Sequence, residues 1–238
     1  MGDRLEQLPE DWDRALAIVA HPDDMEWGAA SAVARWTAQG KDVRYLLVTR
    51  GEAGIASRPP EEVAPLREAE QRDSCATVGV DKLEFLDHAD GLVVADLALR
   101  RDLAAAIRRH RPDVLLGISF RESWGGTSWN HADHRAVGVA MLDAARDAAN
   151  PWLFEDIGPA CDPVRFAAFS GSTRPTHAVD VSDHLDAGIA SLQAHAVYLE
   201  ELGDPGGRET VRQLRSWARE AGEDAGVAAA VTFEMRTP

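Results

Sequence analysis

The sequence predicts an α/β fold, a mostly parallel sheet with helices on both faces, from three observations. Short, nearly continuous apolar runs of strand length recur along the chain. Each of the first four is followed by a stretch whose apolar residues recur at helical spacing, and glycine or proline punctuates the joints at Gly40, Gly79 and Pro112. Strands alternating with helices in this way are joined by right-handed crossovers, which place the helices on both faces of one sheet.

The elements follow in order. Residues 14–20, Arg-Ala-Leu-Ala-Ile-Val-Ala, read as a strand buried on both faces. Helical spacing over 29–39 ends at Gly40, and 43–49 returns to strand character, completing a β-α-β unit. Helices over 65–78, 97–109 and 134–149 then alternate with strands over 83–86 and 114–118. Beyond these, 164–169 and 178–181 read as strands, 183–202 as one long helix, 208–221 as another, and 228–233 as an edge strand. No repeat or low-complexity linker interrupts the chain, so a single domain over 1–238 is expected. The architecture is Rossmann-like, and a sheet order of 3-2-1-4-5 would set the first and fourth strands side by side, their carboxyl ends flanking the active site.

Composition narrows the function. The chain has 238 residues, 45% of them hydrophobic, with a net charge of −15. Binding through phosphate neutralisation, to nucleic acid or to an anionic membrane surface, needs the opposite excess. No stretch reads as a secretion signal or a membrane span, and two cysteines, Cys75 and Cys161, are too few for a disulfide framework. A cytoplasmic protein is expected.

Chemistry concentrates at two places. Where a dinucleotide binder of this topology carries a glycine-rich turn, the first strand is followed by His21-Pro-Asp-Asp-Met-Glu26. After the fourth strand and a long loop over 119–130 comes His131-Ala-Asp-His134, two histidines three apart at a helix start. Adjacent strand ends would bring the clusters together. Two imidazoles and a carboxylate satisfy a catalytic zinc ion while leaving a position for water, which points to His21, Asp24 and His134 as ligands. Asp23 then lies where it can take the proton of that water, and His131 stands across the reacting carbonyl. Either motif alone has bland explanations, a helix N-cap or a chance surface pair; their conjunction decides.

These residues are recognisable. Ala-His-Pro-Asp-Asp-x-Glu followed by His-x-x-His resembles the PIG-L / LmbE-like N-acetylglucosaminyl deacetylase superfamily, zinc-dependent hydrolases. Thr49-Arg-Gly-Glu-Ala-Gly54, Arg67-x-x-Glu70, Phe85-Leu-Asp-His-Ala-Asp-Gly91, Arg111-Pro-Asp-Val114 and Asp180-Val-Ser-Asp183 fall in the order the resemblance requires. It implies zinc ligation by His21, Asp24 and His134, Asp23 as general base, His131 as general acid or oxyanion stabiliser, and Arg67 and Asp90 as contacts to sugar hydroxyls. Two positions depart from it: Gly28-Ala29-Ala30 replaces paired glycines, and Trp129 stands where some members have a tyrosine, so an indole replaces an acidic O–H.

The expected activity is removal of acetyl from an N-acetylglucosamine-type amino sugar or glycoconjugate, with Zn²⁺ or another divalent ion such as Fe²⁺. Hydrolysis of a larger acyl or thiol conjugate, or a non-catalytic sugar-binding or regulatory role, are the competing readings; the intact set around Asp23 disfavours the last. The partner is a small-molecule substrate, with a homo-oligomer left open. Trp27, Trp124 and Trp129 are candidates to face the substrate, with Trp129 placed among the binding residues. Arg50, Glu52 and Arg121 are candidates for the mouth, while His88, His110, His177, His184 and His195 are expected to be surface or packing residues.

Overall fold

In the computed structural model, which describes residues 5–238, the alternation of strands and helices builds the sheet it predicts. The elements are β1 (Glu6–Gln7), β2 (Arg14–Val19), α1 (Asp24–Gly28), α2 (Ala30–Ala38), β3 (Asp42–Leu47), α3 (Pro60–Thr77), β4 (Lys82–Phe85), α4 (Leu97–His110), β5 (Val114–Ile118), β6 (Ser123–Gly125), β7 (Ser128–Trp129), α5 (Ala132–Ala149), a 3-10 turn (Glu155–Ile157), β8 (Phe166–Ser170), β9 (His177–Asp180), α6 (Leu185–Gln193), α7 (Ala196–Glu201), α8 (Arg208–Ala225) and β10 (Ala230–Arg236). Eight strands form one sheet in the order β1-β9-β10-β8-β5-β2-β3-β4, and β6 and β7 pair separately. The five strands from β4 to β8 run parallel in the expected 3-2-1-4-5 order, with β2 paired to both β3 and β5.

The alternation of side chains along β2 divides the core. Ala15, Ala17 and Val19 face the cluster that holds Val33 and Trp36 of α2, whereas Leu16, Ile18 and Ala20 face the cluster that holds Leu103 and Ile107 of α4 and Met141 of α5. Both faces of the central strand are therefore dry, which is why its sequence is almost wholly apolar. No helix among the described residues is long and apolar enough to cross a membrane.

Four expectations about elements are corrected. The helix expected over 29–39 is α2 alone, preceded by the separate short α1, with Ala29 (φ −134°) breaking the run. α3 starts at Pro60 rather than residue 65, because proline at the first helical position costs no hydrogen bond and Pro65 is carried inside. The long helix over 183–202 is two, α6 and α7, divided at Ala194 and His195. The C-terminal strand is not an edge: β10 inserts antiparallel between β8 and β9, and β1 forms the edge beyond.

β10 also anchors the loop after β5. Glu234, 1% exposed, accepts from Arg121, from the Ser172 hydroxyl, and from Arg236 Nε at 2.8 Å. Burial pushes this carboxyl up, but the hydrogen bonds from Arg121, Ser172 and Arg236 outweigh it and hold it at about 2. A pKa depressed on folding from 4.5 to about 2 contributes roughly 3 kcal/mol of stability above pH 4.5, lost as pH falls towards 2. The difference in Tm between wild type and Glu234→Gln is expected to shrink across that window in acid melts; a difference constant with pH would refute the assignment.

Candidate active site

The two motifs meet because β2 and β5 are neighbours. His21 leaves the end of β2, Asp24 opens α1, and His134 lies in the first turn of α5. His21 Nδ1 is 3.1 Å from His134 Nε2, His134 Nε2 is 3.1 Å from Asp24 Oδ1, and His21 Nδ1 is 3.7 Å from Asp24 Oδ1. Three donor atoms at these separations match the ~3.3 Å edges of tetrahedral coordination at ~2.0–2.1 Å from a zinc ion.

The other polar atom of each donor is engaged, so each presents the correct face. Asp24 Oδ2 accepts from the backbone N–H groups of Ala20 and His21 at 3.0 and 2.9 Å, which turns Oδ1 towards the two histidine nitrogens. His134 Nδ1–H donates to Asn130 Oδ1 at 2.8 Å, and the Asn130 amide is oriented by donating to the carbonyls of Ser119 and Arg121. His21 Nε2–H faces Asp90 Oδ1 at 3.0 Å and Asp133 Oδ2 at 3.2 Å. A histidine whose far nitrogen donates to a carboxylate or amide keeps its near lone pair for a metal.

Electrostatics agree. Burial pushes the Asp24 carboxyl up, but His134 and His21 outweigh it and hold it far below the usual range. Burial pushes His21 down, and Asp24, Asp133 and Asp90 more than reverse this, raising it well above its ordinary value. Carboxylates in this number around one imidazole make a site that favours positive charge, and its donors fit a borderline divalent ion. His21 also shares a donor grouping with His131 and His134, and another with Asp90 and Asp133. The latter is accounted for by donation from Nε2–H, while His131 Nδ1 already accepts from the Asp133 backbone N–H at 3.2 Å.

Asp23 caps α1 in the left-handed region at φ 85°, an uncommon conformation for a non-glycine residue. Its backbone N–H donates to Gln71 Oε1 at 3.0 Å, Arg67 donates to Oδ1 at 3.1 Å and Trp27 Nε1 to Oδ2 at 3.1 Å. Burial pushes the Asp23 carboxyl up to about 6, with Arg67 pulling down and Asp24 pushing further up. A carboxylate poised near neutrality suits a general base. Gly51, at φ +65°, is required here, since a Cβ on it would lie 2.2 Å from Arg67 Nη1.

The remaining sequence candidates fall at different distances from this centre. His131, half exposed, stands edge-on to His21 with ring centroids 5.0 Å apart; burial and the neighbouring His21 lower its pKa. Asp90 supports His21 and accepts from Ala53 N–H at 2.8 Å. Arg67 is 2% exposed, donates to Gly51 O, Pro22 O and Asp23, and lies 3.9 Å over the Tyr198 ring, so it stands behind Asp23. Trp129 is 88% exposed on the β6–β7 hairpin, and Trp124 packs edge-on to His134. Two of the other charged candidates are engaged in ion pairs: Arg50 is bound to Glu68, Asp87 and Leu86 O, Arg121 to Glu234. Glu52 instead accepts from the backbone N–H groups of Arg50 and Asp90. His195 is fully buried and His88 pairs with Asp102.

Asn130, Asp133 and Gln71 were not foreseen from the sequence. The available signal was that a ligating histidine needs a partner for its second nitrogen, and Asn130 lies four residues before His134.

A family model described as PIG-L, GlcNAc-PI de-N-acetylase, matches residues 16–145, which contain His21, Asp23, Asp24, His131 and His134. The chain belongs to the PIG-L family. Diacetylchitobiose deacetylase of Thermococcus kodakarensis is 28% identical over 190 residues, covering 78% of this chain and 70% of that protein. 1D-myo-inositol 2-acetamido-2-deoxy-alpha-D-glucopyranoside deacetylase of Mycobacteroides abscessus is 26% identical over 237 residues, covering 80% of this chain and 83% of its own. Among solved structures, N,N'-diacetylchitobiose deacetylase from Pyrococcus horikoshii superposes with a TM-score of 0.85 at 24% identity, over 96% of this chain and 85% of that one, and shares the fold. The PIG-L match thus covers the region where β2 and β5 bring the two histidine motifs together.

Proposed function

We propose that the chain hydrolyses the acetamide of an N-acetylglucosamine-type amino sugar, with His21, Asp24 and His134 holding a divalent ion, zinc foremost and Fe²⁺ as the alternative. The observation that carries this reading is the convergence of three oriented donor atoms beside a buried carboxylate poised near neutrality. The two curated relatives named above, both deacetylases of acetamido sugars by name, support the substrate class. When bound, the metal would polarise the amide carbonyl and acidify water.

Asp23 takes the proton of the attacking water, and Trp27 and Arg67 fix the direction in which its oxygens point. His131 Nδ1 is occupied by a backbone N–H, so its proton sits on Nε2, available to the developing oxyanion or the leaving amine. Water is split between the two products: acetate gains its oxygen and the sugar amine gains its proton. Trp129 offers an exposed aromatic face to a sugar ring at the rim.

The test is metal content of the purified protein together with amine release from a panel of N-acetylglucosaminides. Release abolished by chelator and restored by Zn²⁺ is the expected result. A protein that holds stoichiometric metal yet cleaves none of the panel would refute acetamide hydrolysis, and one that binds no metal would refute the ligand set.

A further inference from the structure

A cavity of about 670 Å³ opens from Asp24 and His134 and extends between α1, α6, α8, β8 and β10. Its size lies in the ~300–1,000 Å³ range of sites for small ligands and far exceeds an acetyl group. Its wall is largely apolar, with Trp27, Ile118, Trp124, Leu214, Trp217 and Val231 as the large side chains. The charged groups Asp24, Glu26 and His134 are all contributed by α1 and α5, and among the described residues neither arginine nor lysine lines it. Among the hydroxyls, Ser170 donates to Gly117 O and Ser172 to Glu234, and the Trp27 N–H is held by Asp23. A hydrocarbon chain would cover this apolar wall, whereas the hydroxyls of a sugar ring would find only the scattered side chains of Ser31, Ser128, Gln213 and Thr232.

Helix α8 points the same way. Leu214, Trp217, Ala218 and Ala221 recur at helical spacing and all line the cavity, yet Trp217 remains 46% exposed. The inward stripe of this helix is thus spent on the cavity wall more than on the core.

We propose that this cavity seats the acyl chain of the substrate, so that the enzyme prefers amino sugars bearing a medium-length unbranched N-acyl group to those bearing acetyl. The inference rests on the amide-hydrolysis reading above. Direction follows from the placement of groups: Asp24 and His134 lie on the cavity wall, while His131, whose Nε2 proton is available to the leaving amine, and Asp90 lie outside it. With the amine towards His131, the other substituent of the carbonyl points into the cavity. The C–N bond is broken by water exactly as for acetyl in stoichiometry, yielding a fatty acid carboxylate and the free amine.

The metal-loaded enzyme is assayed on N-acetyl, N-butanoyl and N-octanoyl glucosamine and on octyl N-acetylglucosaminide. kcat/KM is expected to rise about tenfold or more from acetyl to octanoyl, and Ala221→Phe, which fills the α8 side of the cavity, is expected to lower the octanoyl-to-acetyl ratio. Octanoate is also titrated against tryptophan emission, since Trp27, Trp124 and Trp217 report on the cavity directly; saturable binding weakened by Ala221→Phe, with no response to acetate, is expected. A flat or falling kcat/KM along the acyl series overturns the proposal, as does a gain confined to the octyl glycoside, which would put the aglycone in the cavity. Failure of every amide, acetyl included, would refute the amide-hydrolysis reading instead, and the octanoate titration alone would then decide whether the cavity is a chain site.

Discussion

Asp23→Asn is expected to lower kcat by about 10²–10⁴-fold while the purified protein keeps wild-type metal content. Asparagine is the informative replacement because it tolerates the left-handed backbone that Asp23 adopts at φ 85°, where alanine is strained. Its side-chain oxygen still accepts from Trp27 or Arg67, so the loop between β2 and α1 keeps its shape, and Asp24 is not touched. What is lost is a carboxylate that burial has pushed up to about 6, able to take a proton near neutral pH and to give it up again. Parallel measurement of kcat and of metal by elemental analysis checks the prediction. Unimpaired turnover at full occupancy would remove Asp23 from the chemistry; loss of metal would show that it holds the ligand loop instead.

Much of the site was legible because its chemistry is local in sequence. His21, Asp23 and Asp24 occupy one turn, His131 and His134 another, and the strand pattern was enough to set β2 beside β5. The residues that orient these groups were harder to read. Asn130 and Asp133 act on nitrogens that face away from the proposed metal position, and Gln71 reaches Asp23 from 48 residues along the chain. The resemblance points Arg67 towards sugar hydroxyls, whereas in the structure its Nη atoms donate to Pro22, Gly51 and Asp23, a buried arrangement that no spacing rule reveals. In the fold, the five parallel strands emerged from their apolar runs. The place of β10 was not legible because a strand's own residues do not say which strands flank it, and only long-range antiparallel pairing with β8 and β9 puts Phe233 and Glu234 inside the sheet.

His21→Ala is expected to abolish both stoichiometric metal binding and turnover, the larger of the two effects. Its Nδ1 is one of three donors, and the remaining pair, Asp24 Oδ1 and His134 Nε2, cannot close a catalytic zinc set. The ring does a second thing: its Nε2–H faces Asp90 and Asp133, and removing it leaves two carboxylates converging without a proton between them. Breaking a buried charge pair costs about 3–5 kcal/mol, so the metal-free variant is also expected to melt below metal-free wild type. Asn130→Ala provides the graded control. It spares every donor but frees His134 Nδ1, and should weaken metal binding by ~10–100-fold rather than abolish it. Competitive chelator titrations separate the two variants. If His21→Ala held metal as tightly as Asn130→Ala, His21 would be a supporting residue, and the ion would have to sit among other donors at the end of β2.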